Sequence, residues 1–123
     1  MKMPGISREL LNLLLSIGKS QHPLEFLAIL EERDNVLAEL DLVPGTVSGA
    51  ESASFSLDML PLGTRIAGSA HSHPNGVLEP STADLRFFPS VGRYHIIVGP
   101  PYGPRDWRCF TAGGSPCTLE VIG

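Results

Sequence analysis

The sequence predicts an α/β fold, a single domain in which a mixed β-sheet is flanked by helices. One amphipathic stretch near the N-terminus has helical spacing, whereas most later apolar segments are short and bounded by turn residues, as strands are. Hydrophobic residues make up 42% of the chain and charged residues 18%, which is a globular composition. A length of 123 residues fits one core but not two, so we expect residues 1–123 to form one domain.

The first half of the chain predicts a helix followed by strands. Ser7 is a suitable N-cap for a helix that ends near Lys19, and the apolar residues between them recur at helical spacing. Three strands are expected after this helix, at 26–30, 36–43 and 52–57. We interpret Arg33-Asp34-Asn35 as the turn between the first two strands.

The second half of the chain predicts a strand that ends in two histidines, a short helix and three further strands. These elements are expected at 65–70, 81–88, 94–98, 107–111 and 118–122, and the last two would pair as a terminal hairpin. Cys109 and Cys117 flank the turn of that hairpin, which would put them on neighbouring strands. We interpret them as two reduced thiols, although a bridge is also compatible with hairpin geometry.

The charge and the hydropathy of the chain exclude two classes of partner. The formal net charge is −4, so the chain lacks the basic surface with which proteins bind nucleic acid. The sequence contains no apolar run long enough to span a membrane and no signal peptide. We therefore expect no membrane partner and a cytoplasmic location.

Two histidines and an aspartate form a pattern that is typical of a catalytic metal site. His71 and His73 end an apolar strand and, at positions i and i+2, point to the same face. Asp84 lies in the first turn of the next expected helix, which can bring it back toward them. Two imidazoles and one carboxylate, with a fourth position left for water, are typical of catalytic zinc. Taken alone, Ser81 and Asp84 have a simpler interpretation as a helix capping box.

This motif resembles that of the JAMM (MPN+) zinc metalloprotease family, many of whose members remove ubiquitin or ubiquitin-like proteins from conjugates. The family pattern is an upstream glutamate, then His-x-His-Pro, six residues and Ser-x-x-Asp. In this sequence the pattern is filled by Glu25, His71, His73, Pro74, the six residues 75–80, Ser81 and Asp84. The resemblance implies the MPN/JAMM fold, a cytidine-deaminase-like sheet between helices, in a small prokaryotic or archaeal-type member.

The resemblance also implies a role for each motif residue. The two histidines and the aspartate would bind Zn²⁺ as the cofactor. Glu25 would be the general base, and Ser81 would donate a hydrogen bond to the oxyanion. From the residues alone, Glu79 is a rival base, because it lies closer in sequence to the ligands. The other histidines, His22 and His95, are interpreted as packing or hydrogen-bonding residues.

By the same resemblance, the substrate partner is a ubiquitin-like protein or its conjugate, cleaved between the C-terminal glycine and a lysine. Two other activities of the family stay open: release of an amino acid from a sulfur-carrier protein, and hydrolysis of ordinary peptides. A non-catalytic MPN scaffold is a further alternative, although such domains typically lack the ligands present here. A zinc deaminase is excluded because it would need His-x-Glu and Cys-x-x-Cys. The chain has no room for the inserted segments with which larger members grip ubiquitin, and the sequence specifies no oligomeric state.

Overall fold

The structure, a computed structural model, describes residues 3–43 and 66–123. One mixed β-sheet organises this part of the chain. Its strands are β1 (Gly5–Ser7), β2 (Leu27–Arg33), β3 (Val36–Leu42), β4 (Ile66–Ser72), β5 (Tyr94–Val98), β6 (Trp107–Phe110), β7 (Pro116–Cys117) and β8 (Glu120–Ile122). They lie in the order β7-β6-β5-β4-β2-β3-β1-β8, with both parallel and antiparallel pairs. The predicted mixed sheet is therefore confirmed. The strand expected at 52–57 lies outside the described residues.

Two helices flank this sheet, α1 (Arg8–Gln21) and α2 (Thr82–Phe87), and α2 runs into a 3-10 turn at Phe88–Ser90. The side chain of Ser7 accepts a hydrogen bond from Leu10 N at 3.1 Å, which confirms the predicted N-cap of α1. Neither helix in the described residues is long and apolar enough to cross a membrane.

The hydrophobic core is divided between the two faces of the sheet. Because side chains alternate along a strand, Ala28 and Leu30 of β2 pack in the cluster beneath α1. Leu27 and Ile29 of the same strand pack on the other face, in a cluster that includes Phe87 at the end of α2. The helices thus cover opposite faces of the sheet, as the family resemblance implies.

The hairpin of β2 and β3 is closed by the predicted turn. Asp34 and Asn35 have positive φ angles of 51° and 66°, which only a few residue types adopt without strain. Two such residues in succession match the right-handed twist of the flanking strands. The two residues of the turn therefore determine locally that β2 pairs with β3.

The predicted terminal hairpin is wrong. β6 pairs with the two residues of β7, whereas β8 crosses to the far edge of the sheet and pairs in parallel with β1. Leu119 is buried in the α1 cluster between these two strands, and Glu120 N donates to Pro4 O at 3.0 Å. Cys109 and Cys117 still face each other across β6 and β7, and both are free thiols. The sequence did not indicate β1, whose pairing is entirely with distant segments.

Candidate active site

The strand β4 delivers both motif histidines to one end of the sheet. His71 lies within β4, and His73 follows the strand directly. His73 N donates to Val98 O at 2.9 Å, so the pairing with β5 continues to this residue. The extended backbone sends both imidazoles to the same face, and their Nε2 atoms are 3.0 Å apart.

The loop that follows His73 fixes the orientation and the tautomer of its ring. His73 Nδ1 lies 2.7 Å from Val77 O, and because a carbonyl only accepts, Nδ1 carries the proton. The Nε2 of the neutral ring is then the atom with a free lone pair. Asn75 holds the loop in turn, since its Oδ1 accepts from Val77 N at 2.9 Å. This arrangement is the usual way in which a protein orients a metal-binding imidazole.

The start of α2 brings the carboxylate of Asp84 to the histidines. Ser81 is the N-cap, and its Oγ accepts from Asp84 N at 3.1 Å while Ser81 N donates to Asp84 Oδ2 at 2.8 Å. This is the capping box that the Ser-x-x-Asp spacing indicates. The same carboxylate places Oδ1 at 3.2 Å from His71 Nε2 and Oδ2 at 3.2 Å from His73 Nε2. Asp84 thus has a capping contact and a place beside both imidazoles.

The three donor atoms fit a zinc ion. His71, His73 and Asp84 each offer one ligand atom to a common point, and those atoms all lie within 4.8 Å of one another. Bonds of about 2.0–2.1 Å in tetrahedral geometry separate ligand atoms by roughly 3.3 Å. The two Nε2 atoms are 3.0 Å apart, and each lies 3.2 Å from one of the two carboxylate oxygens of Asp84. Two imidazole nitrogens and one carboxylate oxygen are donors that zinc accepts, and three protein ligands leave a position open.

The electrostatics of the group favour positive charge between its members. The hydrogen bond with Asp84 raises the pKa of His73, against the opposing effect of burial, and the charge of Glu25 acts in the same direction. Burial by itself would raise the pKa of Asp84, but hydrogen bonds with His71 and His73 outweigh it and hold that pKa well below its usual range. A cation at this point would meet an ionised carboxylate in partly buried surroundings.

A cavity of about 470 Å³ brings the remaining motif residues to the metal-binding group. Glu25 and Ser81 both line it, together with the two histidines and Asp84. Glu25 is exposed and precedes β2, in the connection from α1. Glu79, the rival suggested by sequence proximity, lines a different groove beside β6 and β7. The structure thus brings together all five predicted site residues and separates Glu79 from them.

The two other histidines, His95 and His22, make packing and hydrogen-bonding contacts with neighbouring residues. His95 is fully buried, and its ring stacks on Phe88 with 4.0 Å between centroids. Its Nε2 donates to Gly92 O at 2.9 Å, and its Nδ1 lies 2.7 Å from Ser69 Oγ. His22 caps the C-terminus of α1, and its Nδ1 is 2.7 Å from Tyr102 Oη. Both interpretations made from the sequence agree with these contacts.

Sequence reasoning missed the groups that support the site from behind. Val77 acts through its backbone oxygen, which no residue pattern reveals. Ser72 is fully buried between the two histidines, and its Oγ accepts from Phe26 N at 3.1 Å. The signal for Ser72 was present, because strand alternation turns the residue between two metal-facing histidines toward the opposite face.

The family of the chain follows from comparison with known proteins. The model of prokaryotic homologs of the JAB domain matches residues 7–110. The chain belongs to the prokaryotic JAB family. Among curated proteins, a "Probable metalloprotease" from Haloferax volcanii is 41% identical to this JAB-family chain over 128 residues, covering 96% of the chain and 79% of the relative.

Solved structures agree with this family. A JAB1/MPN domain protein from Archaeoglobus fulgidus is 39% identical, covers 97% of this chain and 99% of its own, and superposes with a TM-score of 0.80. A structure of the JAMM metalloprotease-like zinc site in the proteasome and signalosome is 34% identical, with coverages of 99% and 100% and a TM-score of 0.78. The predicted JAMM family and fold are confirmed, and with them the coarse prediction of a metalloprotease.

Proposed function

We propose that this JAB-family chain is a zinc-dependent isopeptidase that hydrolyses the bond between the C-terminal glycine of a ubiquitin-like protein and a lysine. The observation that carries the proposal is the shared cavity. Glu25 and Ser81 line it beside the group of His71, His73 and Asp84. A carboxylate and a hydroxyl next to three metal donors are the groups that amide hydrolysis requires.

Three residues would hold the metal: His71, His73 and Asp84. When bound, zinc supplies a nucleophile at neutral pH because it lowers the pKa of a coordinated water. The contact of His73 Nδ1 with Val77 O keeps the ring turned so that Nε2 faces the other donors. The capping box holds Asp84 in the same way from the helix side.

Glu25 would move the proton in this reaction. Its carboxylate would accept a proton from the attacking water and then deliver it to the nitrogen of the departing amine. Its exposed position on the cavity wall suits this role, because from there the carboxylate lines the same space as the metal-binding group.

Ser81 would stabilise the oxyanion that forms on the scissile carbonyl. In the capping box its Oγ accepts from Asp84 N, so the hydroxyl proton is left for a second partner. Ser81 also lines the cavity, where a donated hydrogen bond would meet the developing charge.

The shape of the cavity supports a flexible substrate tail. A volume of about 470 Å³ is that of a small-ligand cleft, too small for a folded domain. The scissile bond must therefore arrive on an extended segment. Pro23, Leu27 and Phe87 contribute to the cavity wall, so glycines next to the bond would fit where larger side chains would meet these residues. A ubiquitin-like tail that ends in Gly-Gly meets both requirements, and the likeness to the JAMM zinc site of the proteasome supports it.

The test compares two conjugates of one ubiquitin-like protein, joined to a lysine through Gly-Gly or through Ala-Val. We expect cleavage of the Gly-Gly conjugate and much slower cleavage of the Ala-Val conjugate, with a weak KM because recognition would be confined to the tail. The Glu25→Gln protein, loaded with zinc, serves as the inactive control. Equal rates on the two conjugates would replace the isopeptidase by a general peptidase. Release of a single amino acid from a sulfur-carrier protein, with no cleavage of either conjugate, would favour that alternative.

A further inference from the structure

Among the described residues, Ser72 and Tyr102 contact the two ends of the segment 22–26 that carries Glu25, and we propose that they are positioning residues that fix Glu25 beside His73. This inference rests on the proposed function, because it takes Glu25 as the general base.

Glu25 has no regular secondary structure of its own. It lies in the connection between α1 and β2, and its side chain is exposed. A general base must stay within hydrogen-bond reach of the proton that it accepts. A displacement of about 1 Å can cost on the order of 10²-fold in rate. The backbone on both sides of Glu25 must therefore be held by other residues.

Ser72 holds the backbone on the C-terminal side of Glu25. The ladder between β2 and β4 ends at the pair Leu27 and His71. Beyond it, Ser72 N donates to Phe26 O at 3.3 Å, and Ser72 Oγ accepts from Phe26 N at 3.1 Å. The buried hydroxyl thus replaces a ladder hydrogen bond and extends the attachment to the residue next to Glu25.

Fixing Phe26 also fixes the face on which Glu25 lies. Phe26 is buried in the cluster beneath α1, and Leu27 is buried in the cluster on the opposite face. Along extended backbone, Glu25 falls on the same face as Leu27, which is also the face of His71. A loose Phe26 would free the carboxylate to leave that face, so the Ser72 hydroxyl acts on Glu25 through the backbone.

Tyr102 holds the other end of the same segment. Its hydroxyl lies 2.7 Å from Nδ1 of His22, and the two rings meet edge to face with 5.5 Å between centroids. The Tyr102 ring is buried against Gly18 of α1, where a Cβ atom would come within 2.7 Å of it. The glycine makes room for the ring, and the Tyr102 hydroxyl reaches His22, the C-cap that follows α1. The segment 22–26 is therefore anchored at both ends.

The test is a double-mutant comparison in the full-length, zinc-loaded protein. Ser72→Ala and Tyr102→Phe are each made alone and together with Glu25→Gln, and kcat and KM are measured with the conjugate in excess over the enzyme. With Glu25 present, we expect each change to lower kcat by on the order of 10-fold or more, with KM and zinc content nearly unchanged. In the Glu25→Gln background we expect no further loss, because residues that act through one group are not additive.

Ser69→Ala is the matched control, since Ser69 is an equally buried hydroxyl of β4 that contacts His95 and not the Glu25 segment. It should leave kcat unchanged. A readout independent of activity is hydrogen exchange of the Phe26 amide in metal-free protein, which should become faster in Ser72→Ala and stay protected in Ser69→Ala. Tyr102→Phe keeps the ring, so it tests the proposal even where Ser72→Ala does not fold.

Two results would overturn the positioning role while leaving the proposed function intact. One is full turnover in both Ser72→Ala and Tyr102→Phe when Glu25→Gln alone is inactive. The other is the same fold loss with and without Glu25, which would indicate a general structural effect. Full turnover in Glu25→Gln alone would instead overturn the general-base assignment, and the positioning inference with it.

Discussion

Replacing Ser81 by alanine tests two roles of its hydroxyl, the observed N-cap of α2 and the proposed donor to the oxyanion. As the N-cap of α2, Ser81 Oγ accepts from Asp84 N at 3.1 Å. As the proposed oxyanion donor, the same hydroxyl would act on the substrate from the wall of the cavity. Loss of the cap would lower folding stability, whereas loss of the oxyanion donor would lower kcat. Variants that separate the two losses therefore decide whether the catalytic role exists.

The expected size of each loss follows from general values for helix caps and oxyanion donors. Loss of a serine N-cap to alanine costs about 1 kcal/mol of folding stability, whereas glycine in its place costs only a few tenths. Loss of one oxyanion donor costs on the order of 10²-fold in kcat. Ser81→Gly therefore keeps most of the cap but lacks the hydroxyl. If the hydroxyl is catalytic, both variants should lose about 10²-fold in kcat although only Ser81→Ala is clearly destabilised.

Chemical denaturation measures the stability and steady-state cleavage of the Gly-Gly conjugate measures kcat, both on the same zinc-loaded samples. Zinc content is checked in each variant, because Ser81 N also donates to Oδ2 of Asp84. The catalytic role would be refuted if Ser81→Gly had near-normal kcat and any loss of kcat in Ser81→Ala followed its loss of stability. Ser81 would then be a helix cap only.

Two further predictions follow from the site and its surroundings. Glu25→Gln should keep full zinc and lower kcat by on the order of 10²-fold or more, whereas Glu79→Gln should keep full turnover because it lines a different groove; the reverse result would make Glu79 the base. Burial lowers the pKa of His95 to about 4, so between pH 6.5 and pH 4 only the unfolded chain takes up the proton and stability must fall as the pH falls. From pH 7 to pH 5 the free energy of unfolding should decrease by about 2 kcal/mol more in the unsubstituted protein than in His95→Gln, and equal decreases would contradict this.

Local sequence signals predicted the elements that they control. Ser7 begins α1, the Asp34-Asn35 turn closes its hairpin, and Ser81 with Asp84 forms the capping box. Each of these depends on residues within a few positions of one another. The same holds for His71 and His73, whose spacing in a strand sets their common face.

Features that depend on distant pairing were not predictable from one sequence. β1 is three residues long and pairs only with distant segments, so no local pattern marks it. The strand expected at 118–122 contains β8, but its pairing with β1 was not predicted. The hairpin expected at the C-terminus was the simplest local solution, and burial of Leu119 with pairing to β1 replaced it. The position of Glu25 came from the family resemblance alone, since its approach to the histidines depends on contacts such as that of Ser72 with Phe26.

The zinc content of purified protein tests the central claim most directly. We predict one zinc per chain in the unsubstituted protein and loss of both the metal and the peptidase activity in His73→Ala, because His73 supplies one of three donor atoms. His22→Ala, which removes a histidine outside that group, should retain the full zinc content. Metal retained in His73→Ala, or hydrolysis by protein shown to be free of metal, would contradict the account.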